Sequence, residues 1–440
     1  MIEAALKDLI HYTLKPHQPA AIRYLLGHHY AILGDEQGLG KTVEALCVSL
    51  LTSKKTLIVC PAYLKLNWEQ EIKSLCKVGK SIWVHNGPKS LDKLLFDHDF
   101  YIVSYSSIEK VVSLFREVDC IIADECQHLK NLESGRTLRF HSLIGRYQPP
   151  RLILASGTTI ENGVVEWYSV LRLMSYSPWD TNGPITAKYF STAKKFNDYF
   201  CFTRKIKIKT RGSRFRWVVK HYGLKNKEKL WKLLKGKYIR RLKKDVLDLA
   251  VPQYRKVIVA YKSDKKLEKL WEDFNNGIDK GHISGDKKIS ALNKVKYTIQ
   301  YADDLRQEVD SPIVIFSCHP QAVEEIAKGL STRGFNCRSI NGTTSVKLRQ
   351  RFINELQEGR IDFLVATIGS ASTGYTMTKA NQMIMNDRDW VPSKNAQARD
   401  RIHRIGQENN VTYHDIIGSR IDDLIYLKLK EKEEVLKEVI

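Results

Sequence analysis

The chain has no apolar run long enough to cross a bilayer, and its start lacks the charged-then-apolar pattern of a leader. The expectation is a soluble, intracellular protein. Its eight cysteines form no CxxC pair and no Cys/His ligand spacing, which excludes a disulfide scaffold and a zinc module. Several, Cys60 and Cys120 among them, sit inside apolar runs and read as reduced, buried thiols. No internal repeat or low-complexity segment is present. Acid is in short supply: 49 Asp and Glu face 71 Lys and Arg, for a formal net charge of +22. So large an excess points to a polyanion partner, and nucleic acid is the commonest. Anionic membrane is the rival, but no basic helix with a bulky apolar face and no lipidation motif supports it.

What is present is a globular composition, 43% hydrophobic and 27% charged, spread over 440 residues. That length predicts two or three domains. The chain is organised around Gly34-Asp35-Glu36-Gln37-Gly38-Leu39-Gly40-Lys41-Thr42. An apolar run, Tyr30–Leu33, precedes it and a helical pattern follows, so the order is strand, glycine loop, helix. Glycines let backbone N–H groups approach phosphate oxygens, and a helix N-terminus adds partial positive charge. Lys41 would reach the outer phosphates and Thr42 would hold Mg²⁺. Asp35 stands where the usual pattern has its first glycine. Upstream, Pro16 is placed to start a helix at Gln18, whose amide could read adenine or could simply face solvent.

After the loop, apolar runs ending in polar clusters alternate with amphipathic stretches. Thr56–Pro61, Tyr101–Tyr105, Cys120–Glu125 and Leu152–Thr158 are the runs. Such runs predict a parallel sheet covered on both faces, with ligand-binding residues at the carboxyl ends of its strands. Asp124-Glu125 sits at one such end. One carboxylate there can hold Mg²⁺ and the next can activate water; a plain helix-capping pair is the bland alternative.

Between Ser177 and Val251 the alternation breaks down. Arg204–Lys209 and Arg214–Val219 flank a turn at Arg211-Gly212-Ser213 and predict a β-hairpin with Lys205, Lys207 and Lys209 on one face. Ten more basic residues follow, among them Arg240, Arg241, Lys243 and Lys244, and the stretch suits phosphate contact, with a solvated insertion as the alternative that any single lysine here favours. Phe215 and Trp217 could wedge into a branch point or pack the hairpin onto its domain. A second alternating unit begins after Val251-Pro252, with strands at Ile313–Phe316, Phe363–Thr367 and Gln382–Met385. Near its end, Gln397, Arg401 and Arg404 fall at helical spacing on one face. Arginines so placed can stabilise charge developing on a γ-phosphate.

This ordered set resembles the Swi/Snf-type ATPases of helicase superfamily two, from Leu14 to Gln407. Leu14–Gln18 resembles the Q-motif, Asp35–Thr42 motif I, and Cys60-Pro61 through Asn67-Trp68 motif Ia. Asp124–Asn131 resembles motif II, Ser156–Asn162 motif III, Thr367–Met377 motif V and Arg401–Gln407 motif VI. The Asp35 substitution is that family's own form. Gln127 replaces the usual histidine of motif II, Thr159 the usual proline of motif III, and Ser372 a glycine of motif V. None of these removes a metal ligand, base or arginine finger.

The resemblance implies an α/β protein of two RecA-like lobes, parallel sheets flanked by helices, with a basic, partly helical insertion containing a β-hairpin. The expected boundaries are 1–176 for the first lobe, 177–250 for the insertion attached to it, and 251–440 for the second lobe with a helical insertion near 263–309. ATP with Mg²⁺ would contact Gln18, Asp35, Gly38, Gly40, Lys41, Thr42, Gly374 and Gln397. Thr42 and Asp124 would hold the metal, the latter partly through water. Glu125 would be the general base, Lys41 a catalytic cation, and Arg401 and Arg404 the γ-phosphate sensors. DNA, duplex and branched, would meet Lys205, Lys207, Lys209, Arg211, Arg214, Arg216, Trp217 and Thr367. The sequence looks most like the compact fork-remodelling and annealing branch and the branch-migrating helicases of large bacteriophages. The expected protein is a monomeric DNA-dependent ATPase for branch migration or fork regression, in the cytoplasm of a bacterial host if viral. A translocase that strips proteins from duplex DNA and a non-catalytic ATP-switched clamp are the alternatives.

Overall fold

Side chains leave a strand on alternate faces, so a continuous apolar run must be covered on both sides. The computed structural model, which describes residues 2–91, 94, 96–158, 163–179, 190–209, 215–259, 283–371 and 375–439, shows this twice. The chain divides into two units: residues 1–203, 221–247 and 435–440, and residues 204–220 with 248–434.

The strands of the first unit are β1 (Tyr30–Leu33), β2 (Thr56–Cys60), β3 (Ile82–Val84), β4 (Phe100–Ser104), β5 (Cys120–Asp124) and β6 (Arg151–Ala155). Two further strands, β7 (Phe202–Lys209) and β8 (Phe215–Tyr222), form a separate two-stranded sheet at the position expected for the hairpin. A short strand, β9 (Tyr238–Ile239), completes the unit's main sheet, whose order is β3-β4-β2-β5-β6-β1-β9, parallel throughout. Ile32, Val59, Val103, Ala123 and Leu154 project into a core on one face. Their neighbours Leu33, Ile58, Ile102, Ile122 and Ile153 enter the core on the other.

The second unit repeats the plan with β10 (Gln253–Ile258), β11 (Ile313–Ser317), β12 (Cys337–Ile340), β13 (Phe363–Thr367), β14 (Gln382–Met385) and β15 (Thr412–Ile417). Their order is β10-β15-β14-β11-β13-β12, again all parallel. Val314, Phe316, Leu364 and Met383 face one core, and Ile313, Ile315, Val365 and Ile384 the other. Each unit is thus a RecA-like lobe, as the sequence implies. The helix Ile283–Glu308 falls within the helical insertion expected near 263–309; residues 260–282 lie outside the described residues.

All eight cysteines are free; six are buried, and Cys318 and Cys337 are half-buried. No helix among the described residues is long and apolar enough to cross a membrane.

Candidate active site

The site is built at the carboxyl end of the first sheet. Strand β1 delivers the glycine loop, and the helix Lys41–Thr52 begins directly after it. Gly40 takes φ 91°, a left-handed conformation, and a Cβ there would strike the Gln18 amide. Only glycine serves both demands. Gln18 is fully buried, accepting from the Lys15 N–H at 2.9 Å, with its amide 3.5 Å from the Gly40 carbonyl. It is therefore an inward-facing neighbour of the loop, and the solvent-facing alternative does not hold. His17 Nε2 bonds the Leu39 carbonyl at 2.9 Å and steadies the same turn. Lys41 Nζ donates to the carbonyls of Asp35 at 2.8 Å and Glu36 at 3.2 Å, so its ammonium lies over the loop it would share with phosphates. Gly38, at φ 82°, and Thr42 are half-buried beside it.

Strand β5 ends at Asp124, and the backbone turns sharply through Glu125, whose φ of 51° is a left-handed value that a non-glycine residue seldom adopts. The Asp124 carboxylate accepts from the Trp68 indole N–H at 2.9 Å and from the Glu125 N–H at 2.9 Å. Burial, then the adjacent Glu125 charge, pushes Asp124 up to about 7. Those two hydrogen bonds and the Lys41 charge oppose the shift, which places the loop lysine within electrostatic reach of the acid pair. Glu125 Oε2 accepts from Gln127 Nε2 at 2.7 Å, and Gln127 Oε1 accepts from the Ser156 hydroxyl at 2.7 Å. Ser156 Oγ in turn accepts from the Thr158 N–H at 3.0 Å. A chain of hydrogen bonds thus joins the end of β5 to the end of β6. A Cβ built on Gly157 would lie 3.1 Å from Lys41 Nζ, so all three strand ends converge. The oxygen-only pair of Thr42 hydroxyl and Asp124 carboxylate has the chemistry that Mg²⁺ favours.

Sequence reasoning named Trp68 and Gln127 only as motif positions and missed what they touch. It also missed where part of the run after the hairpin goes. The stretch holding Arg240, Arg241 and Lys243 was read as suited to phosphate contact or as a solvated insertion; in the structure the side chains of Arg240 and Arg241 and the backbone N–H of Lys243 meet the glycine loop. Arg241 Nε bonds Asp35 Oδ2 at 2.9 Å and Nη2 bonds Glu44 Oε1 at 2.6 Å, both carboxylates being fully buried. Arg240 Nη1 donates to the Gly34 carbonyl at 3.0 Å, and the Lys243 N–H to Glu36 Oε2 at 2.7 Å. The cause is strand β9, which pairs with β1 and carries this segment alongside the loop. Asp35, expected at the nucleotide, directs its carboxylate to Arg241 and offers only its carbonyl to Lys41.

In the second unit the helix Pro392–Arg399 carries Gln397, which is buried, but it stops before Arg401. The expected helical face of Gln397, Arg401 and Arg404 is corrected accordingly: the two arginines lie on the turns that follow. The Met377 N–H takes the Arg401 carbonyl at 2.8 Å, and the Gln407 amide takes those of Ile402, Thr378 and Ala380. The contacts at Arg401 and Ile402 use carbonyls that a continuing helix would need. Arg401 is buried, and Arg404 Nη1 is shielded from water with no hydrogen bond to a described residue. Thr367 is buried and its hydroxyl donates to Ser370 Oγ at 3.0 Å, so it faces inward. Lys205 is exposed, and Trp217 is 64% exposed. Gly374, Arg211, Arg214 and the motif III residues Thr159–Asn162 lie outside the described residues, as do the side chains of Lys207, Lys209, Phe215 and Arg216.

Residues 17–314 match the SNF2-related domain family and residues 287–406 the helicase conserved C-terminal domain. Over 96% of its length the chain is 24% identical to the SWI/SNF-related matrix-associated actin-dependent regulator of chromatin subfamily A-like protein 1 of Xenopus tropicalis, of which it covers 44%. Over 98% it is 24% identical to the DNA annealing helicase and endonuclease ZRANB3 of Bos taurus, of which it covers 41%. The chain therefore spans less than half the length of these two relatives. A solved structure, the Sulfolobus solfataricus SWI2/SNF2 ATPase core in complex with dsDNA, aligns at a TM-score of 0.45 and 20% identity, covering 98% of this chain and 97% of that one.

Proposed function

We propose that this chain, which belongs to the SNF2-related family, is a DNA-dependent ATP hydrolase that tracks along DNA and remodels branched structures by branch migration or fork regression. The observation that carries the reading is the convergence, within one lobe, of the glycine loop, the acid pair and the Gln127–Ser156 link. Lys41 would move from its loop carbonyls to the outer phosphates of ATP. Thr42 and Asp124 would hold Mg²⁺, which supplies charge neutralisation at those phosphates. Glu125, oriented by Gln127, would take the proton of the attacking water. The unsatisfied Nη1 of Arg404 is suited to an anionic oxygen of the γ-phosphate, and Arg401, Gln397 and Gly374 would contact the nucleotide with it. The cycle of nucleotide states would then drive steps along the duplex. The branched substrate is supported by the relative described as a DNA annealing helicase. The protein would act as a soluble intracellular monomer.

ATPase stimulation by single-stranded, duplex, forked and four-way DNA, measured side by side with migration of a labelled four-way junction, tests this. Strongest stimulation by forked and four-way DNA, with junction migration, is expected. Equal stimulation by linear duplex, with displacement of a bound protein and no junction migration, would establish the duplex-stripping alternative instead. Lys41→Ala should abolish turnover while DNA binding persists. Arg404→Ala should keep ATP binding and lose about a thousandfold or more in turnover, the scale of an arginine that stabilises transferring phosphate. Single-round phosphate release that is normal in both variants would remove the catalytic assignment.

A further inference from the structure

The basic run after the hairpin contains an arginine whose guanidinium is engaged by two buried carboxylates beside the glycine loop. We propose that Arg241 is a positioning residue for the nucleotide site, holding the glycine loop in shape from its outer side. The proposal rests on the reading of that loop as the ATP site and says how the loop is kept ready for ATP.

The ladder between β1 and β9 does not end with the strands. The Ile32 N–H bonds the Lys237 carbonyl at 2.7 Å, the Gly34 N–H the Ile239 carbonyl at 2.8 Å, and the Glu36 N–H the Arg241 carbonyl at 2.9 Å. Alternate residues therefore stay zipped to one neighbour from the strand into the middle of the loop. At the end of that zipper, the Arg241 guanidinium meets three sides of the cradle at once. It pairs with Asp35 at the loop's entry, with the N–H of Arg241 itself on Asp35 Oδ1 at 2.9 Å. It pairs with Glu44 in the first turn of the helix that follows the loop. It also donates to the carbonyl of His17, next to Gln18. Asp35, pinned by its side chain, offers its carbonyl to Lys41 Nζ. One planar cation thus fixes the strand exit, the helix start and the segment carrying the adenine-side glutamine.

Lysine cannot reproduce this. A guanidinium presents five donors in a rigid fork, whereas an ammonium is a point charge on a flexible stem. Loss of the charge would also leave two fully buried carboxylates without their cation, the arrangement in which breaking an ion pair is most disruptive.

The test compares Arg241→Gln, Arg241→Lys and the double variant Asp35→Asn/Arg241→Gln with wild type. It reads KM for ATP, kcat at saturating DNA, DNA affinity without nucleotide, and thermal unfolding, with kinetics taken below every unfolding transition. A displaced cradle raises KM for ATP by about ten- to a hundredfold while nucleotide-free DNA affinity stays at the wild-type value. Arg241→Lys should fold and still show a raised KM, and the double variant, which removes one of the two stranded carboxylates, should recover part of the stability without recovering KM. Should Arg241→Gln not fold, Arg241→Lys decides alone. A wild-type KM in any folded Arg241 variant overturns the proposal and makes the residue a stabiliser only. Lys41→Ala, run in parallel, separates the two readings: an active Lys41→Ala would sink the ATP site itself, whereas an inactive one beside a wild-type KM for Arg241→Lys sinks only the role of Arg241.

Discussion

Gln127 stands where the SNF2-related family usually has histidine, and its side-chain amide suits the place for a reason visible in its partners. One end must donate to the Glu125 carboxylate and the other must accept from the Ser156 hydroxyl. An amide carries a donor and an acceptor permanently, whereas an imidazole offers that pair only when neutral and in one tautomer. The link between the acid pair and β6 is therefore indifferent to pH in the range where histidine titrates. Gln127→Ala should lower kcat by about ten- to a hundredfold with little change in KM for ATP, since it releases the orientation of the base without removing the base. Gln127→His should restore turnover at alkaline pH and lose it again as the ring takes a proton, because an imidazolium cannot accept from Ser156. A pH–kcat profile of the two variants checks this, and a flat profile for Gln127→His would remove the linking role. Trp68 belongs to the same set: its indole donates to Asp124, so a residue read from sequence as part of an upstream motif orients the carboxylate assigned to the metal.

The elements that were legible are those whose identity is local. Strands β2, β4, β5, β6, β11 and β13 are continuous apolar runs, and no other element fits a short run covered on both faces. Strand β9 was illegible because it is two half-buried residues, Tyr238 and Ile239, in a lysine-rich stretch. It is a strand only by pairing with β1, a contact about two hundred residues distant in sequence that no local pattern encodes. The roles of Arg240 and Arg241 followed that miss. The end of the helix Pro392–Arg399 was misread for a related reason: helical spacing continues through Arg404, but tertiary contacts at Met377 and Gln407 take the carbonyls first. The hairpin was legible as a hairpin, and β7 and β8 each extend past the expected arms to Phe202 and Tyr222, whose rings lie 5.9 Å apart. Trp217 and Val219 are 64% and 49% exposed, so neither is packed in a core. Deleting residues 210–214, or replacing Trp217 by alanine, should impair four-way junction processing by a larger factor than duplex-stimulated ATPase activity. Equal losses in the two assays would return the aromatic to a packing role.

At the scale of the whole molecule the governing quantity is the net charge of +22, and the structure shows that the 71 basic residues behind it fall into two classes. Some are engaged by carboxylates within the lobes and add nothing to the surplus. Arg241 is held by Asp35 and Glu44, Lys294 by Asp422, Arg306 by Asp362 and Arg388 by Asp415. Composition counts these cations along with those on the surface, whereas the salt dependence of DNA binding counts only cations that displace counterions from phosphates. For duplex DNA the slope of log K against log salt is about −0.9 per phosphate neutralised. The two classes should therefore separate cleanly in a titration with nucleotide-free protein. Lys205→Gln, an exposed position on the hairpin, should make the slope shallower by about one unit. Arg306→Gln removes the same charge from the sequence but from a half-buried pair with Asp362, and should leave the slope unchanged. Fluorescence anisotropy across a salt series measures both. If the two variants moved the slope equally, the surplus would act through the field of the whole protein rather than through contacts, and the hairpin would lose its claim to the DNA.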